Sequence, residues 1–241
     1  MNKRIYILPN LFTTASIVTG FYSILAAVRE NFILAGWFVV LAVVFDSLDG
    51  AVARLTHSQS AFGMEYDSLS DLVSFGVAPA FISYMWYLRY LDEVGLFLCI
   101  AYLLTGALRL ARFNVQSKRI SFVGLPIPAA AMMVVSTMFI TIKFNIHAGS
   151  FFVVLFILVS FLMISNVRYK GLKHINLNGF KWWKSLSLVP VFIFFLWKPY
   201  FVLFLLSVVY IFSGPVECMV KVSKRRFLGR REDGKQKDNN I

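Results

Sequence analysis

Charged residues are scarce in this chain. Only 15% of its 241 residues are Asp, Glu, Lys or Arg, whereas a soluble domain carries about a quarter. Cysteine occurs twice and histidine three times, so the sequence indicates neither a disulfide framework nor a zinc site built from Cys and His. Acidic residues number 12 against 24 basic ones. These scarcities exclude an ordinary soluble enzyme domain and make the position of each acidic residue informative.

Apolar residues make up 59% of the chain, in repeated runs that approach the roughly 17 to 25 residues needed to cross a bilayer. The pattern predicts an all-α polytopic membrane helix bundle of about eight transmembrane helices. We place the spans at 9–28, 32–54, 70–91, 94–113, 126–144, 150–166, 186–198 and 200–220. The seventh span holds Pro190 and runs into Pro199, so the last two spans are alternatively a tight hairpin or one long broken helix, and the latter would give seven spans. Residues 1–220 then form one membrane domain, and 221–241 form a basic, disordered tail.

The basic residues predict the orientation of the bundle. With eight spans, 20 of the 24 Lys and Arg fall on the side that holds both termini, and only Arg29, Arg89, Lys143 and Lys198 fall on the other. Because cytoplasmic loops are enriched in Lys and Arg, we expect both termini in the cytoplasm and a multi-pass protein of the cytoplasmic membrane. The net charge of +12 then reflects orientation and attraction to anionic lipid headgroups, so no nucleic-acid partner is expected.

Five of the 12 acidic residues fall between positions 46 and 71, at the end of span two and the start of span three: Asp46, Asp49, Glu65, Asp67 and Asp71. At about 100° per residue, Asp46, Asp49, Gly50, Ala53 and Arg54 lie within an arc of about 140° on one helix face. If the next helix starts a turn or two before its apolar run, Gly63, Asp67, Ser70, Asp71 and Ser74 also share a face. Two helix ends would then present four carboxylates across one crevice.

Four carboxylates this close would repel one another, and Mg²⁺ or Mn²⁺ would relieve that repulsion. A pair of such ions can hold a diphosphate and stabilise charge on the entering and leaving oxygens of a displacement. Arg54 suits a phosphate, and the small residues Gly50, Ala53 and Gly63 allow a ligand to come close. Two alternatives remain: the acids pair with arginines at 54, 109 and 112 to fasten helices together, or they line an ion path.

The spacing of this segment resembles the signature of the CDP-alcohol phosphatidyltransferase family. That signature is D-x-x-D-G-x-x-A-R, then eight residues, then G-x-x-x-D-x-x-x-D. This sequence matches it at all eight fixed positions: Asp46, Asp49, Gly50, Ala53, Arg54, Gly63, Asp67 and Asp71.

The resemblance implies a role for each of these residues. Asp46, Asp49 and Asp67 would ligate two divalent metal ions, Mg²⁺ or Mn²⁺, with Asp71 shared between metal binding and the part of general base. Asp49, Gly50, Ala53, Arg54 and Gly63 would bind the CDP moiety. The substrate donor would be CDP-diacylglycerol, with CMP as the leaving group, and the family's tendency to dimerise suggests a homodimer.

Four further stretches are similar to the phosphatidylserine synthase branch of that family: LPNLFT at 8–13, DLVSFGVAP at 71–79, ALRLARFN at 107–114 and GLPIPAA at 124–130. They imply L-serine as the acceptor alcohol. Arg109, Arg112 and Asn114 are candidates to bind the serine carboxylate or the lipid phosphate, although both arginines would also serve to anchor a cytoplasmic helix end. The alternatives are another transferase of the family, using glycerol 3-phosphate or an inositol-type acceptor, and an ion or metal transporter.

Overall fold

The computed structural model describes residues 7–56, 58–115, 122–146, 149–169 and 197–216. Helices dominate these residues, and two strands of two residues each pair in antiparallel fashion, with Phe122 opposite Tyr169. The elements in chain order are α1 (Ile7–Val28), α2 (Phe32–Leu55), α3 (Ala61–Asp71), a π-helical segment (Leu72–Val77), α4 (Ala78–Trp86), a 3-10 turn (Leu88–Leu91), α5 (Asp92–Val115), β1 (Phe122–Val123), α6 (Ile127–Phe144), α7 (Gly149–Ile164), β2 (Arg168–Tyr169) and α8 (Pro199–Val216).

Six helical stretches among the described residues are long and apolar enough to cross a membrane, and α7 is an apolar helix slightly shorter than that. The predicted all-α polytopic membrane bundle is therefore confirmed. The seventh predicted span, at 186–198, lies outside the described residues except for its last two positions, as do both termini and the basic tail. The count of eight spans, the cytoplasmic termini and the domain limits stay predictions.

The third membrane helix begins at Ala61, nine residues before the predicted start of its span at 70. Ser60 caps this helix, because its side chain accepts a hydrogen bond from the Gly63 N–H at 3.0 Å. The helix continues from α3 through the π-helical segment into α4. Its first three turns include Glu65, Asp67, Ser70 and Asp71, so hydropathy alone does not locate their start.

Helix α1 packs between α2 and the helix formed by α3 and α4, and hydroxyl groups link all three. Ser16 donates to the Ala42 carbonyl of α2 at 3.3 Å, and Ser74 donates to the Ser16 carbonyl at 2.9 Å. A Cβ placed on Gly20 would lie 2.6 Å from Ser74 Oγ, so this close approach requires glycine. Small and hydroxyl-bearing residues at helix contacts are typical of membrane bundles.

The bundle has two distinguishable ends. At one end, the turn after α1 meets the turn before α5 through Arg89 and Glu30, whose charged atoms are 3.3 Å apart. At the other end, the last turn of α5 meets α3, where Asn114 Nδ2 donates to Glu65 Oε2 at 3.1 Å. This second end also holds the start of α1 and the end of α2, and we call it the site end.

Candidate active site

Four aspartates from two helices converge at the site end. Carboxylate oxygens of Asp46, Asp49 and Asp67 all lie within 4.8 Å of one another. Asp46 is within hydrogen-bonding reach of Asp67 and of Asp71. Asp46 and Asp49 come from the last turns of α2, and Asp67 and Asp71 from α3. The structure therefore brings together all four of the aspartates singled out from the sequence, whereas Glu65 points to Asn114 instead.

The opposite face of α2 explains why these carboxylates point inward. Val44, Leu48 and Leu55 lie on that face and are exposed, as expected of side chains that contact lipid. Asp49, three residues after Asp46, is buried and only 6% exposed. The amphipathic phase of α2 therefore sets the carboxylates against α1 and α3.

The geometry of the cluster fits a divalent cation with oxygen ligands. Mg²⁺ holds oxygens at about 2.0 to 2.1 Å, so two ligands on opposite sides of an ion are about 4.2 Å apart. The 4.8 Å spread of the cluster is close to that separation. One oxygen of Asp71, Oδ1, is fully buried and accepts no hydrogen bond from any residue that the structure describes. Buried polar atoms normally have a partner, and a bound cation would supply one.

Two arginines lie beside the cluster in the described part of the chain. Arg54 interacts electrostatically with Asp49, and Arg109 with Asp71 and Asp46. Two guanidinium groups against four carboxylates leave an excess of negative charge, so pairing with these arginines does not by itself account for the acids. The pairing alternative accounts for only part of the cluster's charge, and a bound cation would offset the rest.

The residues predicted to bind CDP line one rim of the crevice. Arg54 is exposed and folds back over its own helix, with Nη1 3.3 Å from the place where a Gly50 side chain would begin. Gly63 lies across the gap, where a Cβ would be 3.1 Å from Ser60 Oγ. Ala53 is half-buried on the same face of α2. The small residues at 50, 53 and 63 keep side-chain bulk away from the backbone here, and the atoms nearest to the two glycines are polar ones of Arg54 and Ser60.

The three candidate acceptor residues have different surroundings. The Arg109 side chain lies among Asp46, Asp71 and Tyr210 of α8, and its Nε is buried without a hydrogen-bond partner among the described residues. Arg112 turns away from the cluster, since its Nη2 donates to Asn166 Oδ1 at 2.8 Å beyond the end of α7. Of the two arginines, only Arg109 reaches the aspartates.

Asn114 connects α5 to the outer face of α3. Its Nδ2 donates to Glu65, and its Oδ1 accepts a hydrogen bond from Ser68 Oγ at 3.2 Å. Both of its polar atoms are therefore already used in holding two helices together. The residue lies at the border of the crevice and not inside the carboxylate cluster.

Sequence reasoning missed Thr13, which makes a direct contact with the cluster. Thr13 Oγ1 donates to Asp49 Oδ2 at 2.8 Å, and Thr13 is only 3% exposed. Its backbone carbonyl accepts a hydrogen bond from Ser70 Oγ of α3 at 3.2 Å. In the sequence, the stretch at 8–13 stands out only for its similarity to the phosphatidylserine synthase branch. A hydroxyl in the first turns of an apolar helix was the available signal.

A helix bundle with an acidic crevice at one end defines this chain as a polytopic membrane protein with a candidate metal site. The family model for CDP-alcohol phosphatidyltransferases matches residues 6–165, which include every element that builds the crevice except α8. The chain belongs to the CDP-alcohol phosphatidyltransferase family, whose members are enzymes. Family membership favours a transferase over the ion or metal transporter.

Several enzymes are similar to this chain in sequence. The CDP-diacylglycerol–serine O-phosphatidyltransferase of Helicobacter pylori is 41% identical over 180 residues, covering 72% of this chain and 76% of the relative. The enzyme of the same name from Methanocaldococcus jannaschii is 40% identical over 167 residues, covering 69% and 75%. An archaetidylserine synthase of Methanothermobacter thermautotrophicus is 40% identical over 165 residues, covering 67% and 69%.

Proposed function

We propose that this protein transfers the phosphatidyl group of CDP-diacylglycerol to the hydroxyl of L-serine, which yields phosphatidylserine and CMP. The observation that carries the proposal is the convergence of the eight-residue family signature on one crevice, with four carboxylates and Arg54 around it. Two of the similar enzymes described above are named as transferring a phosphatidyl group to serine, and the third is named as the synthase of a serine-containing lipid.

In this proposal, Asp46, Asp49, Asp67 and Asp71 hold two divalent ions, Mg²⁺ or Mn²⁺. When bound, such ions offset the negative charge of a diphosphate as one phosphorus–oxygen bond forms and another breaks. Asp71 also accepts the proton of the serine hydroxyl at its buried Oδ1, which accepts no hydrogen bond from the described residues although Arg109 lies nearby. The serine oxygen then attacks the lipid-side phosphorus, and the bond from that phosphorus to CMP breaks.

The CDP group would lie along the rim formed by Arg54 and the small residues. Arg54 provides a planar cation with several donors for a phosphate. Gly50, Ala53 and Gly63 have little or no side chain, which would let the nucleotide come close to the backbone of α2 and α3. Asp49 borders both the rim and the cluster, so the diphosphate would lie between the two.

Arg109 is the best-placed acceptor residue. A guanidinium next to the general base can bind the serine carboxylate, or the lipid phosphate, through paired hydrogen bonds. In the proposal, Arg112 and Asn114 lie at the border of the acceptor site, where they would assist Arg109 in binding serine or the lipid phosphate. Their hydrogen bonds to Asn166 and Glu65 make them secondary to Arg109.

We further propose that the site end faces the cytoplasm in the inner cell membrane. Most basic residues of the sequence fall on the predicted cytoplasmic side, and water-soluble serine and CMP are then exchanged with the cytoplasm. The lipid donor would enter from the surrounding bilayer. A homodimer stays a prediction from the family resemblance, and light scattering of the detergent-purified protein would test it.

The decisive experiment supplies purified protein with CDP-diacylglycerol, Mn²⁺ or Mg²⁺, and labelled L-serine, labelled glycerol 3-phosphate or labelled inositol. Lipid products are separated by thin-layer chromatography, and CMP is measured in parallel. We expect labelled phosphatidylserine and serine-dependent CMP release. Label appearing in lipid only with glycerol 3-phosphate or inositol would reassign the acceptor. CMP release independent of any alcohol would contradict the transfer itself.

A further inference from the structure

Thr13 lies where the two walls of the crevice meet. Its hydroxyl donates to Asp49 of α2 at 2.8 Å, and its carbonyl accepts from Ser70 of α3 at 3.2 Å. Ser70 directly precedes Asp71 in the chain. Thr13 is thus hydrogen-bonded to Asp49 on one wall of the crevice and, on the opposite wall, to the residue that precedes Asp71.

The hydroxyl restricts what the Asp49 carboxylate can do. It donates to Oδ2 and so restricts rotation of the carboxylate, which also accepts a hydrogen bond from the Gly50 N–H. Both side chains are almost completely buried, at 3% and 6% exposure, so water does not readily replace this donor. Hydrogen bonds from a second layer of residues commonly orient metal-binding side chains in this way.

We propose that Thr13 is a positioning residue that holds Asp49 in the orientation required for binding a divalent cation. This inference rests on the metal site of the proposed function and adds to it a residue outside the family signature. Thr13 does not touch the ion or the substrate. It acts through Asp49, and its loss should weaken cation binding before any substrate is added.

Thr19 provides a matched control on the same helix. Thr19 is also buried, at 8% exposure, but its hydroxyl donates only to carbonyls of its own helix, those of Ala15 and Ser16, each at 2.9 Å. Thr19→Val therefore removes a buried hydroxyl from α1 without changing any contact to the carboxylates. Thr13→Val is the corresponding isosteric change at the site.

The experiment measures Mn²⁺ binding to the full-length, detergent-purified protein by calorimetry and electron paramagnetic resonance, without lipid or serine. Wild type, Thr13→Val, Thr13→Ser and Thr19→Val are compared, and their thermal unfolding is recorded in EDTA. We expect Thr13→Val to bind Mn²⁺ about 10- to 100-fold more weakly, the usual effect of losing such a hydrogen bond. Thr13→Ser, which keeps the hydroxyl, and Thr19→Val should match the wild type. If the valine variant does not fold, Thr13→Ala replaces it.

Unchanged Mn²⁺ affinity in a folded Thr13→Val or Thr13→Ala variant would overturn the inference and leave the proposed function intact. An equal loss in Thr19→Val would also overturn it, since the effect would then be a general one on α1. A wild type that makes phosphatidylserine in EDTA and binds no Mn²⁺ would instead refute the metal site, and Thr13 with it.

Discussion

Replacing Asp71 with Asn tests the proposed general base with the least change in shape. The amide has the size and planarity of the carboxylate, and its NH₂ group can donate a hydrogen bond toward the carboxylate of Asp46, which lies beside it. The amide cannot take the proton of the serine hydroxyl. General-base catalysis contributes about 10²- to 10⁴-fold to rate, so we expect kcat to fall at least about 100-fold.

The stability of the variant should move in the opposite direction. Two like charges about 4 Å apart repel by about 4 kcal/mol at an effective dielectric constant of about 20. Asp71 lies beside both Asp46 and Asp67, so removal of its charge relieves part of that repulsion in the metal-free protein. The Asp71→Asn variant should therefore unfold in EDTA at the wild-type temperature or above it, which separates lost chemistry from lost folding.

The assay follows incorporation of labelled serine into lipid, with binding of the CDP-lipid measured separately on the same preparation. Glu93→Gln serves as the control, because Glu93 is exposed at the start of α5, far from the site. Asn114, at the site end of the same helix, is 21 residues away, which corresponds to about 30 Å. That variant should keep wild-type turnover. Turnover of Asp71→Asn within about twofold of wild type would refute the role of Asp71 as the base.

Four further outcomes are expected. EDTA should abolish lipid synthesis and excess Mn²⁺ restore it; synthesis that persists in EDTA would contradict the metal site. Arg54→Lys should raise the KM for CDP-diacylglycerol about tenfold and leave the KM for serine unchanged, because lysine lacks the planar fork. Gly20→Ala should lower the free energy of unfolding by about 1 to 3 kcal/mol, measured by thermal unfolding, since the new Cβ would lie 2.8 Å from Ser74 Cα. Tyr210→Phe should raise the KM for serine alone, because Tyr210 lies beside Arg109; equal effects on both substrates would contradict this.

The carboxylate cluster could be predicted from the sequence because helical phase is a local property. Asp46 and Asp49 share a face of α2 by their spacing alone, and the exposed Val44 and Leu48 on the other side confirm that phase. The hypothesis that the next helix starts before its apolar run is also confirmed, since α3 begins at Ala61. The predicted span starts only at 70 because hydropathy finds the apolar part of a helix and not its capping residue.

Residue spacing along the sequence does not predict contacts between distant parts of the chain. Arg109 and Arg112, three residues apart, were given one joint role. In the structure, Arg109 lies beside the aspartates, whereas Arg112 donates a hydrogen bond to Asn166, which follows α7. The difference depends on which helices flank α5, and that arrangement is tertiary. The contact from Thr13 to Asp49 spans 36 residues and depends on the same kind of information.

The hydroxyl contacts of α1 explain how a carboxylate cluster of this kind keeps its geometry in a membrane bundle. Helices in lipid gain little from apolar contact with one another, so their relative rotation is weakly specified by apolar side chains. A slip of one residue along α3 would turn Asp67 by about 100° and remove it from the cluster. Ser70 bonded to Thr13, and Ser74 bonded to Ser16, hold α3 in a single rotation against α1. We therefore expect these hydroxyl groups to govern the arrangement of the carboxylates more than the total stability of the bundle.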